Sequence, residues 1–220
     1  MSSKITISSL DSDAAVQEAA EAAGFDTRSD FFRKSIYAGG SLVAGGVLMG
    51  GMPALASAAP GKKQDIAILN FALTLEFLED EFYRLAISNG AVTGPALDLT
   101  KVISKHEKAH VAFLKKALGS KAVKKPKFDF RDTVTDQAKF LETAFVLENT
   151  GVSAYLGQAG RIKSPAILGA AATILTIEAR HSGAIAQLTG KKVSPDGSFD
   201  KPKSMAAILK ALKATKFIVS

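Results

Sequence analysis

Glu107 with His110, and Glu178 with His181, stand in the order Glu-x-x-His. In a helix, a three-residue spacing puts two side chains on one face, so each pair can grip one metal ion from a single side. The chain holds only three His among 220 residues, so two of them meeting a Glu at this spacing is more than composition provides. Each pair also has one upstream partner: Glu76 lies 31 residues before Glu107, and Glu148 lies 30 before Glu178. Six donor side chains therefore form two copies of one pattern, about 71 residues apart. The repeat extends past the donors. Leu75-Glu76 matches Leu147-Glu148, Ala72 matches Ala144, and Tyr83 and Tyr155 each follow the lone Glu by seven residues.

Four carboxylates and two neutral imidazoles carry a charge of −4, which two divalent cations would cancel. Burying the set without metal would be costly. There is no Cys, so thiolate sites and a Cys nucleophile are excluded, and hard oxygen ligands with two imidazoles suit two iron or manganese ions, with zinc as a redox-silent substitute. Two Glu are free to bridge the metals while His110 and His181 each hold one. Such a centre would react with dioxygen, peroxide or incoming iron. The competing reading is a degenerate site whose polar groups only hydrogen-bond one another.

Other polar residues flank the pattern. Tyr83 and Tyr155 share a face with their Glu but sit about 10 Å along the axis, too far to ligate from the same helix, so each is expected as a core aromatic or as a hydrogen-bond partner to a ligand on a neighbouring helix. Glu79 and Asp80 have no acidic counterpart at 151 or 152 and are expected at the rim. His106, whose repeat equivalent is Ile177, is expected at the surface or as an outer hydrogen-bond partner.

The elements that must position these groups are helices. From Gln64 to Leu188 apolar residues recur at helical spacing, with Leu69, Leu73, Glu76, Tyr83 and Ile87 on one stripe, and Ile167, Ala171, Ile174, Glu178, His181 and Ile185 on another. Turns are predicted at Asn89-Gly90 through Gly94-Pro95, and at Arg161 through Ser164-Pro165, where Ser caps and Pro begins a helix. Each turn lies midway between a lone Glu and its Glu-x-x-His, so an antiparallel hairpin brings the three to one level. Residues 119–132 form a longer Lys/Pro-rich link able to cross the bundle's length, permitting parallel second and third helices.

One Glu from each of two helices and Glu-x-x-His from each of two others is the ligand arrangement of ferritin-like di-iron and di-manganese proteins. With all six positions in place, the chain resembles the ferritin-like superfamily. Leu75-Glu76-Phe77-Leu78-Glu79 with Phe82-Tyr83, and Leu147-Glu148 with Gly151-Val152-Ser153-Ala154-Tyr155, look like its desiccation-related branch. The resemblance implies an all-α, ferritin-like four-helix bundle over residues 60–190, two antiparallel hairpins joined by a long crossover, with Glu76, Glu107, His110, Glu148, Glu178 and His181 as metal ligands. Relatives in the superfamily include ferroxidases, peroxidases, manganese catalases and substrate oxidases, so the resemblance narrows the metal chemistry without choosing a reaction.

Residues 1–59 stand apart. A Gly-rich apolar stretch at 35–59 follows Arg28, Phe31, Phe32, Arg33 and Lys34 and ends in Ala-Ser-Ala at 56–58, which reads as an export signal similar to the twin-arginine type, with Lys34 where a second arginine would stand. It is also long enough for an N-terminal membrane anchor. The first 59 residues carry a net −2 and the rest +9. Much of the positive charge falls in Lys115, Lys116, Lys121, Lys124, Lys125 and Lys127, read as a solvated loop; without aromatic interleaving or a reading motif it argues against nucleic acid. Residues 191–220 form a tail with Met205, Ile208, Leu209 and Leu212 at helical spacing, expected to pack across one end of the bundle, or to serve a homo-oligomer contact or membrane surface. The functional expectation is an exported dinuclear protein acting as an oxidase, ferroxidase or peroxide consumer in oxidative or drying stress. The alternative is a non-enzymatic metal holder or structural stress protein.

Overall fold

Helix boundaries follow the local capping chemistry in the computed structural model, which describes residues 63–219. The signal and anchor readings of residues 1–59 lie outside the described residues. Helix α1 spans Lys63–Ser88 and α2 Gly94–Leu118. Asp136 caps α3, Gln137–Ala159, by accepting the Lys139 N–H at 2.8 Å. Ser164 caps α4, Pro165–Thr189, by accepting the Ile167 N–H, and Gly190 ends it in the left-handed conformation at φ 67°. Ser204 caps the short α5, Met205–Thr215. Both expected turns are therefore present, as residues 89–93 and 160–164, and the described residues form an all-α bundle with a short C-terminal helix and no strand.

Cross-helix contacts set the directions. Tyr83 bonds Glu148 while Tyr155 bonds Glu76, so α1 and α3 run antiparallel. Glu107 approaches His181 while Glu178 approaches His110, so α2 and α4 do as well. With tight turns inside each hairpin, α2 and α3 are parallel, and residues 119–136 must travel the length of the bundle. They do so along α1: Asn70 binds the backbone of Lys121 and Val123, Lys125 pairs with Glu81 at 2.7 Å, and Asn89 binds the Val134 carbonyl. The hairpins are tied at the other end too, where buried Asp65 accepts the Lys163 and Ser164 N–H groups at 2.9 and 3.0 Å.

The tail departs from expectation. Ile208 and Leu212 are buried in the cluster that includes Leu75, Leu78 and Leu147, so α5 lies against the flank of α1 and α3 at mid-height instead of across an end. The apolar groove between these helices is the reason, and the chain after α5 returns to the crossover, where the Asp129 N–H meets the Phe217 carbonyl at 2.8 Å.

Two apolar clusters fill the bundle above and below its middle. In one, Phe82 has no exposed surface and stacks on Phe140 at 4.9 Å, with Tyr83 edge-on to both rings. Phe82→Ala is expected to cost ~3–5 kcal/mol in chemical unfolding, because the walls cannot close over a lost ring, and to loosen Tyr83 at the site.

Candidate metal centre

All six donor residues meet between the two apolar clusters. Glu76, Glu107, Glu148 and Glu178 have no exposed surface, and His110 and His181 are buried with them. The helical stripes bring them there: each hairpin contributes a lone Glu from its first helix and a Glu-x-x-His from its second, and the antiparallel pairing aligns them.

The distances divide the cluster into two halves. His110 Nδ1 lies 3.2 Å from Glu76 Oε2, 3.3 Å from Glu107 Oε2 and 3.1 Å from Glu178 Oε1. His181 Nδ1 lies 3.1 Å from Glu107 Oε1, 3.2 Å from Glu148 Oε2 and 3.7 Å from Glu178 Oε2. Glu107 and Glu178 thus turn one oxygen toward each imidazole. Donor atoms of Glu76, Glu107, His110 and Glu178 all lie within 4.8 Å of one another, as do those of Glu107, Glu148, Glu178 and His181. The two carboxylates common to both groups are the bridging candidates, and Glu76 and Glu148 the terminal ones.

The chemistry of this donor set fits cations. Glu107 Oε1 and both oxygens of Glu178 are buried without a hydrogen-bond partner, even where an imidazole nitrogen is near, because it lies off the bonding direction. Buried carboxylate oxygens are costly to leave unpaired, and a metal ion between the two groups would satisfy all three.

Protonation without metal follows from burial and crowding. Burial alone would lower both imidazoles, but the surrounding carboxylates win: His110 is held far above the usual histidine range, and His181 is pushed up to about 12. Burial raises Glu107 to about 7 against its histidine contacts, and burial with the Glu178 charge raises Glu148 to about 8. Burial also opposes ionisation of Glu76, yet His110 outweighs it and holds that carboxyl below its ordinary value.

Both tyrosines reach the site across the bundle. Tyr83 donates to Glu148 Oε1 and Tyr155 to Glu76 Oε1, so each orients the terminal carboxylate of the other hairpin. Burial, then the accepting carboxylate's charge, keeps both phenols protonated far beyond their ordinary range. His106 is the outer partner of His181, with Nδ1 2.9 Å from its Nε2.

Glu79 is not at the rim. It is 3% exposed, and burial together with the charges of Glu178, Glu148, Glu107 and Glu76 drives its carboxyl well above the ordinary range. Its repeat equivalent is Gly151, and a Cβ there would lie 3.5 Å from Glu178 Oε2 and 3.7 Å from Glu79 Oε1. Both are ordinary van der Waals distances, so Glu178 and the fifth acid pack directly against this turn of α3. A cavity of ≈ 130 Å³, lined by Leu78, Glu79, Thr150, Gly151 and Leu212 among others, opens on the same side under α5. The spacing of Glu79 from Glu76, three residues, was a usable signal for its facing inward. Asp80 is half-buried near Lys125, 3.4 Å away.

A family model described as a ferritin-like domain matches residues 64–191, from the first turn of α1 to just past α4. No curated protein matches the chain.

Proposed function

Because the chain belongs to the ferritin-like domain family, whose model spans more than half of it, we propose that the buried cluster holds two iron or manganese ions and supports oxidase, ferroxidase or peroxide-consuming chemistry. The observation that carries this reading is the pair Glu107 and Glu178, each with one oxygen toward each imidazole and shared by both donor groups. When bound, the ions would supply the change of oxidation state toward dioxygen, peroxide or incoming ferrous iron.

The chain's own residues prepare the rest. His110 and His181 present Nδ1 to one position each, and Tyr83 and Tyr155 hold Glu148 and Glu76 in place. Glu79 lies beside Glu178 as a fifth buried acid, and without metal its burial and the four carboxylate charges disfavour its ionisation. Leu75, Leu78 and Leu147 give the cavity beside Glu79 an apolar wall.

Export through the 35–59 segment, and the likeness of the Leu75–Tyr83 and Leu147–Tyr155 phrases to the desiccation-related branch, support a role in oxidative or drying stress outside the cytoplasm. The tail helix leaves Leu209 exposed, which is compatible with a homo-oligomer contact. No helix among the described residues is long and apolar enough to cross a membrane, so membrane attachment would rest on residues 35–59.

A second reading is a redox-silent or structural stress protein. It is favoured by one observation: His110 and His181 each bring Nδ1 within 3.1–3.7 Å of three carboxylates, so the polar groups can partner one another without metal. Elemental analysis of protein made in iron- and manganese-supplemented media separates the two. About two redox metals per chain are expected; none in either medium would leave the structural reading standing alone.

A further inference from the structure

The two halves of the cluster are alike in their six donors but differ behind the imidazoles. His106 Nδ1 lies 2.9 Å from His181 Nε2, and the ring planes are within 14° of each other with centroids 5.2 Å apart. A 2.9 Å contact between nearly parallel rings is shorter than the roughly 3.5 Å at which overlapped faces rest. The rings therefore meet edge to edge through a hydrogen bond. Since His181 Nδ1 faces Glu107, Glu148 and Glu178, the nitrogen directed at His106 is the one left over when Nδ1 serves the cluster. The other half lacks this support. Every polar contact of His110 runs through Nδ1, and the repeat places Ile177, which has no acceptor, where His106 stands.

We infer that His106 is a positioning residue for one metal position only: it accepts the Nε2–H of His181, holds that ring with Nδ1 toward the carboxylates, and makes the position at His181 the tighter of the two. The inference rests on the dinuclear reading above. Partners behind a metal-bound imidazole fix its tautomer and orientation and strengthen it as a ligand, and losing one typically costs 10–100-fold in metal affinity. His106 is on α2 and His181 on α4, so the same bond joins the hairpins at the level of the site. His106 lies only partly beneath the surface, so its replacement leaves the core intact.

Competitive Mn(II) titration of the full chain tests this in two backgrounds, each keeping one imidazole. With His110→Ala, where His181 alone remains, His106→Leu is expected to weaken Mn(II) binding by about 10–100-fold. His106→Gln, whose amide oxygen still accepts the Nε2–H, should recover most of that loss. With His181→Ala, His106→Leu should change nothing. Equal losses in both backgrounds, no loss in either, or a Gln variant no better than Leu would each overturn the inference. Wild-type protein that takes up no Mn(II) would instead overturn the dinuclear reading, and the inference with it.

Discussion

If the cluster holds two ions as proposed, Glu107→Gln and Glu178→Gln are each expected to abolish tight binding of both, whereas Glu148→Ala with His181→Ala is expected to leave one. The difference lies in which donors the halves share. Removing Glu148 and His181 strips the second group but leaves Glu76, Glu107, His110 and Glu178 all within 4.8 Å of one another. Either shared carboxylate takes a donor from both groups and removes the anion between them, so two like-charged cations would be left close together with less to hold them. Glutamine keeps the shape, which separates lost ligation from a collapsed site. Metal per chain by elemental analysis after dialysis is the measurement. Two metals retained in Glu107→Gln would mean that the ions, if bound, are not held where the donors converge.

The clustering of the six side chains was legible because its information is local and doubled. Glu-x-x-His specifies a helix face in four residues, the repeat supplies a second copy, and Asn89-Gly90 and Ser164-Pro165 mark turns that bring the lone Glu to the right level. What could not be read depends on residues far apart in the chain. Glu79 looked peripheral because its counterpart is Gly151, yet it packs beside Glu178 against the Gly151 turn of α3, a contact between two hairpins. For the tyrosines a core aromatic and a bond to a ligand on a neighbouring helix were both open, and the helix they reach follows from the antiparallel pairing of α1 and α3, which depends on the crossover. The amphipathic pattern of α5 was clear, but its docking groove is formed by Leu75, Leu78 and Leu147 from two separate hairpins. Asp65, which ties the two hairpins by capping the 160–164 turn, has no pattern at all around it.

Metal-free protein is expected to lose stability as pH rises, and bound metal to remove that dependence. The sign follows from which state holds more protons. Folding raises His110 and His181 above the free-histidine value near 6.5, the latter to about 12. Their stabilising contribution is complete below the unfolded value and is lost as pH climbs toward the folded one. Glu107 and Glu148, raised to about 7 and about 8 from 4.5, act in the same direction at lower pH. They keep protons that the unfolded chain has released, so their contribution fades between about pH 4.5 and 8. Within the cluster Glu76 runs the other way, and its contribution is lost only on acidification below its unfolded value. Between pH 7 and 9 the two imidazoles with Glu107 and Glu148 hold about two to three protons more in the folded state than in the unfolded, a slope of roughly 3–4 kcal/mol per pH unit that Tm follows downward. Ligation replaces these protons, so metal uptake near pH 7 should release about three per pair of ions: one from each imidazole, most of one from Glu148 and part of one from Glu107. Calorimetric titration in two buffers of different ionisation enthalpy counts the released protons, and melting curves from pH 6 to 9 with and without metal read the stability. A metal-free Tm that is flat over that range, or uptake without proton release, would show that the imidazoles are not held as cations among the carboxylates.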